Sequence, residues 1–148
     1  MKNWRAFIVA AGMTACIASG FAVNDSRSLY DRLGGMPAIK SVVDDFVSRV
    51  LADERVNKWF AHAQSNPAEA AAYKSSLADF LCHNTGGPCQ YGGPDMLAAH
   101  KGRGITDEAF NAVVEDLTAS LHKLNVPARE QSDLLGLLAP MKPTIVQH

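Results

Sequence analysis

From Leu29 onward, every apolar pattern in this chain repeats with the period of a helix, and none alternates as a strand does. That regularity excludes sheet architectures before any residue is given a role. The clearest case follows Pro37. Ile39, Val42, Val43, Phe46, Val47, Val50 and Leu51 recur at helical spacing there, with Lys40, Asp44, Asp45, Ser48 and Arg49 on the other side. Ser28 is placed to cap a short helix, Leu29 to Leu33, stopped by Gly34-Gly35. A short segment is expected around Val56 to Phe60, and Gln64-Ser65-Asn66 reads as loop.

Asn66, Pro67 and Glu69 supply a cap, a first-turn proline and an acid suited to the helix dipole. They predict a helix to about Asn84, with Tyr73, Leu77, Phe80, Leu81 and Cys82 on its inner face and Gly86-Gly87-Pro88 at its end. A fourth helix is expected from Pro94 to Lys101, carrying Met96, Leu97 and His100. Thr106 caps a long one striped by Phe110, Val113, Val114, Leu117, Leu121 and Leu124. After the break at Asn125-Val126-Pro127, a last helix carries Leu134, Leu135, Leu137, Leu138 and Met141, with Pro140 bending it. The fold class is therefore all-α: one layered domain, as suits 148 residues of which 47% are hydrophobic. A net charge of −1 with no basic run gives nucleic acid nothing to bind.

The first 22 residues differ. Met1-Lys2-Asn3-Trp4-Arg5 is basic, Ala6 to Ala15 is apolar, and small residues follow, the pattern of a secretory signal peptide over 1–22. The apolar run is too short for a permanent membrane helix. Met13-Thr14-Ala15-Cys16 resembles a bacterial lipobox, in which Cys16 would carry lipid, and cleavage near Gly20 or Ala22 is the other option. The expected location is outside the cytoplasm, periplasmic or lipid-anchored. That leaves Cys82 and Cys89 as an even pair in a compartment where disulfides survive. Either they bridge around Thr85-Gly86-Gly87-Pro88, or Cys82 is buried and never meets Cys89.

The string Gly86-Gly87-Pro88, Tyr91, Gly93, Met96, His100, Gly102, Gly104, Ile105 and Thr106 resembles the central signature of the group 1 truncated haemoglobins. Leu29-Tyr30-Asp31-Arg32-Leu33-Gly34-Gly35, Val43-Asp44-Asp45-Phe46, Val50-Leu51-Ala52-Asp53, Val126-Pro127 and Ala139-Pro140 match that family in order and spacing. The resemblance covers about 28–146 and implies a two-over-two helical sandwich holding haem b. It makes His100 the proximal iron ligand, consistent with neutral imidazole on a helix aimed at iron. His62, His83, His122 and His148 lack metal-ligand pairing and read as solvated, His62 alone lying near the pocket. Phe46, Phe60, Phe80, Met96 and Ile105 align with porphyrin contacts, and Tyr91 and Lys74 with polar contacts to the haem propionates.

The distal side departs from the family. A tyrosine hydroxyl is usual just after Phe46, where this chain has Val47, and a glutamine is common where Leu77 stands. Tyr73, four residues before Leu77 on the same face, either supplies the missing hydroxyl or faces solvent at the mouth. The family implies reversible binding of oxygen, nitric oxide or carbon monoxide. The alternative is a nitric oxide dioxygenase or peroxidase-like enzyme. Such an enzyme would need a separate reductase, because no flavin or nicotinamide motif is present.

Overall fold

The computed structural model describes residues 25–147. The expected signal segment 1–22, with Cys16, and His148 lie outside the described residues. Among the described residues all regular structure is helical. The elements are α1 (Leu29–Leu33), α2 (Gly35–Ala52), a 3₁₀ turn (Asn57–Phe60), α3 (Ala61–Ser65), α4 (Pro67–Asn84) and α5 (Met96–His100). They continue with α6 (Asp107–Lys123), α7 (Ala128–Leu138), a second 3₁₀ turn (Ala139–Met141) and α8 (Lys142–Ile145).

Local chemistry fixes most of these boundaries. Ser28 accepts from the Asp31 amide, Asn66 from Ala68 and Thr106 from Ala109. Gly34 closes α1 at φ +99°, a conformation that an L side chain rarely adopts. Two expectations are corrected. Ala61–Ser65 is helical rather than partly loop, and α5 is shorter than Pro94 to Lys101 because Asp95 caps it, accepting from Ala98 at 2.7 Å. The expected bend at Pro140 is the 3₁₀ turn between α7 and α8, since proline has no amide to continue the helix.

The two layers are α2 with α4 and α6 with α7, α2 also packing across α6. Ile39, Val42, Val43, Phe46, Val47 and Val50 meet Phe80, Leu81 and Cys82 from α4, Leu117 and Leu121 from α6, and Leu134 from α7. Val47, Val50, Cys82 and Leu121 are wholly buried. Charge clamps the edges. Arg32 of α1 donates to Glu130 and Asp133 of α7 at 2.7 and 2.6 Å.

Asp45 of α2 accepts from Arg49 at 2.7 Å and from Lys123 at the end of α6. Those two cations, Lys123 foremost, hold the Asp45 carboxyl well below the usual carboxylate range. A depressed folded-state pKa adds stability above the unfolded value of about 4 and loses it as pH falls below that. Asp45→Asn is therefore expected to cost about 1 kcal/mol of urea-unfolding stability at pH 7, given that Lys123 is half in water. As pH falls from about 4 through the depressed folded-state pKa, the gap between the variant and the native protein should close. A difference that persists undiminished in acid would mean the side chain acts by packing.

Candidate cofactor pocket

Between the layers lies one large cavity of about 620 Å³. That is within the roughly 300–1,000 Å³ typical of cofactor and ligand sites. Its depth is apolar: Val42, Val43, Phe46, Leu77, Phe80, Phe110, Val113 and Leu117 line it, with Met141 and Ile145 from the end of the chain. Of the residues singled out in the sequence, Phe46, Phe60, Tyr73, Leu77, Phe80, Tyr91, Met96, His100 and Ile105 all reach this wall.

Two of that set stand elsewhere. Val47 is fully buried in the packed core, off the wall. Lys74 is also off the wall, its Nζ 3.0 Å from Asp44 Oδ1 in a bridge from α4 to α2. Tyr91 reaches the wall with its ring, edge-on to Phe80 at 5.2 Å, while its hydroxyl donates to the Pro94 carbonyl at 2.9 Å. That hydroxyl is engaged within its own loop.

His100 ends α5, and its Nδ1 lies 2.7 Å from the Met96 carbonyl oxygen. A carbonyl can only accept, so Nδ1 carries the proton and donates. Nε2 is left as a bare lone pair, the form in which imidazole ligates a metal. Among the described residues no three His, Cys, Asp or Glu side chains converge as a metal cage. A metal held by His100 must therefore bring its other ligands with it, as a macrocycle does.

Tyr73 stands on α4, its ring tilted on Phe60 with centroids 5.5 Å apart. Its hydroxyl makes no hydrogen bond among the described residues. Burial pushes its pKa up to about 12, with Arg103 opposing and Tyr91 adding slightly, so it stays a neutral donor throughout the physiological range. Crowded by protein yet not sealed, it keeps its remaining surface beside the cavity it lines.

Arg103 and Trp59 are among the wall residues that the sequence pattern did not single out. Arg103 is the only Lys or Arg on the wall among the described residues. Its backbone carbonyl accepts from Trp59 Nε1 at 2.8 Å, which ties the loop after His100 to the turn before α3. A basic residue between two glycines, three positions beyond His100, was the available signal.

Comparison with known proteins agrees with this geometry. The bacterial-like globin family profile matches residues 28–147. A group 1 truncated hemoglobin of Mycolicibacterium paratuberculosis is 36% identical over 129 residues, covering 87% of this chain and 91% of the relative. A counterpart from Synechocystis is 38% identical over 68% of this chain and 80% of its own length. Among solved structures, the Fe(III) form of truncated hemoglobin from Tetrahymena pyriformis superposes with a TM-score of 0.75 at 30% identity, covering 82% of this chain and all of that one. The 2/2 hemoglobin of Synechococcus, solved in the cyanomet state with covalently attached heme, gives 0.72 at 31%, over 82% of this chain and 100% of its own. With a bacterial-like globin profile over 28–147 and a group 1 relative 36% identical over 87% of this sequence, the chain belongs to the group 1 truncated haemoglobins.

Proposed function

We propose that this protein would hold haem b through His100 Nε2 and would reversibly bind oxygen or another diatomic gas. The observation that carries this is the bare Nε2 of a tautomer-fixed histidine on the wall of a cavity of about 620 Å³. When bound, haem iron supplies the coordination position at which such gases bind and leave. The chain's own residues do the rest. Phe46, Phe80 and Leu77 exclude water, the tilted Phe60–Tyr73 pair extends that wall, and Met96 and Ile105 line it with the histidine.

The side chain best suited to the haem carboxylates is Arg103, because Lys74 is paired to Asp44 and the Tyr91 hydroxyl to Pro94. Tyr73 offers its unpartnered hydroxyl to the bound gas in place of the donor that residue 47 lacks. A separate reductase would return ferric iron to the ferrous state. The test is an absorption spectrum of the purified protein, ferric, ferrous and with carbon monoxide. A Soret band that moves on adding the gas is the expected result, and no uptake of added hemin overturns the reading.

The basic and apolar N-terminal segment supports export to the periplasm, free or lipid-anchored at Cys16. The Cα atoms of Cys82 and Cys89 stand 5.8 Å apart, a separation suited to a disulfide. Closed after export, it staples α4 to the loop that leads to His100. Replacing both cysteines with serine is expected to lower stability by about 2–3 kcal/mol in oxidising buffer. Under reducing conditions the native protein should fall to the variant's level. Equal stability in both buffers would show that the bridge does not form.

A further inference from the structure

α5 is five residues long, and His100 is its last residue. A helix so short leaves its final carbonyls without helical partners. The His100 carbonyl accepts from Gln147 Nε2 at 2.9 Å, as well as from the Arg103 amide at 3.2 Å. Gln147 makes two further bonds to the same stretch. Its backbone amide donates to the Ile105 carbonyl at 2.9 Å, and its Oε1 accepts from the Gly104 amide at 3.1 Å. One residue near the end of the chain therefore gathers positions 100, 104 and 105. Val146 beside it is buried, and α5 packs chiefly on α8 just before it.

We infer that Gln147 is the positioning residue of the iron ligand, a clasp that holds the backbone from which the His100 imidazole hangs. The inference rests on the haem reading proposed above. Partners of a metal ligand set its orientation and how firmly it binds. Here the work is divided between two groups. The Met96 carbonyl fixes the rotation and protonation of the ring, and Gln147 fixes the main chain beneath it. The loop has little stiffness of its own, because Gly102 and Gly104 both sit at positive φ.

The experiment compares Gln147→Ala and Gln147→Glu with the native haem-loaded protein. One readout is the iron–histidine stretching band of the ferrous form by resonance Raman, the other the rate of hemin transfer to excess apomyoglobin. Alanine removes both side-chain bonds, whereas glutamate keeps an acceptor for Gly104 and loses the donor to His100. Both variants are expected to shift the band and to lose hemin about five- to tenfold faster, as loss of one ordinary hydrogen bond allows. In a His100→Gly background loaded with free imidazole, Gln147→Ala should leave the band unmoved, since that ligand is not tied to the backbone. Native band and native hemin loss in both variants, or in the glutamate variant alone, overturn the clasp while leaving the haem reading standing. Failure of the native protein to take up hemin overturns both.

Discussion

His100→Gly is expected to lose the Soret band that responds to carbon monoxide, and millimolar imidazole is expected to restore it. The glycine variant removes the Nε2 lone pair of a residue on the cavity wall and leaves a gap of imidazole size. The surrounding wall does not depend on that side chain, since among the described residues the His100 ring bonds only to its own helix, at the Met96 carbonyl. The fold should therefore survive, and far-ultraviolet circular dichroism should match the native protein. Hemin would still partition into an apolar cavity of about 620 Å³, but without a fixed axial ligand. Its retention should fall by at least about a hundredfold, the scale of a lost interaction worth roughly 3 kcal/mol. Rescue by free imidazole distinguishes ligation from packing, because a filler of the same shape without a lone pair, such as toluene, cannot replace it. A variant that keeps the native ferrous and carbon monoxide spectra would remove His100 from the iron.

The parts of this molecule that were legible in advance are those encoded by neighbours in sequence. The stripe from Ile39 to Val50 and the caps at Ser28, Asn66 and Thr106 act within one or two turns, so spacing alone reveals them. The segment Ala61–Ser65 carries no apolar stripe, and its helix is held by packing on α4, so spacing could not show it. Facing within a helix was the next limit. Val47 and Lys74 follow Phe46 and Tyr73 directly, and one step turns a helix by about 100°, enough to move a side chain off the wall. Long-range bonds were beyond reach. Trp59 meets the Arg103 carbonyl 44 residues away, and Gln147 meets His100 across 47, with no local pattern announcing either. Family resemblance located His100, and its tautomer needed coordinates.

Tyr73→Phe is expected to speed oxygen release about tenfold while changing carbon monoxide release by less than about threefold. Leu77, Phe46 and Phe80 cannot donate, Val47 lies in the core, and the Tyr91 hydroxyl is bonded to Pro94. Tyr73 and Ser76 each bring to the cavity wall from α4 a hydroxyl with no hydrogen bond among the described residues, and of the two Tyr73 is part-buried while Ser76 is exposed. The elevated pKa of Tyr73 keeps the proton on the oxygen, so it donates rather than repels. Oxygen gains negative charge on binding ferrous iron, and a hydrogen bond to a charged acceptor is worth about 1.5–3 kcal/mol. Since 1.4 kcal/mol is a factor of ten, a tenfold change is the lower end of that range. Carbon monoxide stays nearly neutral when bound and so registers the loss weakly. Rapid-mixing kinetics on both gases decide the matter. If oxygen leaves the native protein quickly and the phenylalanine variant is no faster, Tyr73 does not reach the ligand. The gas site would then be apolar throughout, favouring nitric oxide or carbon monoxide over oxygen on the same physical grounds.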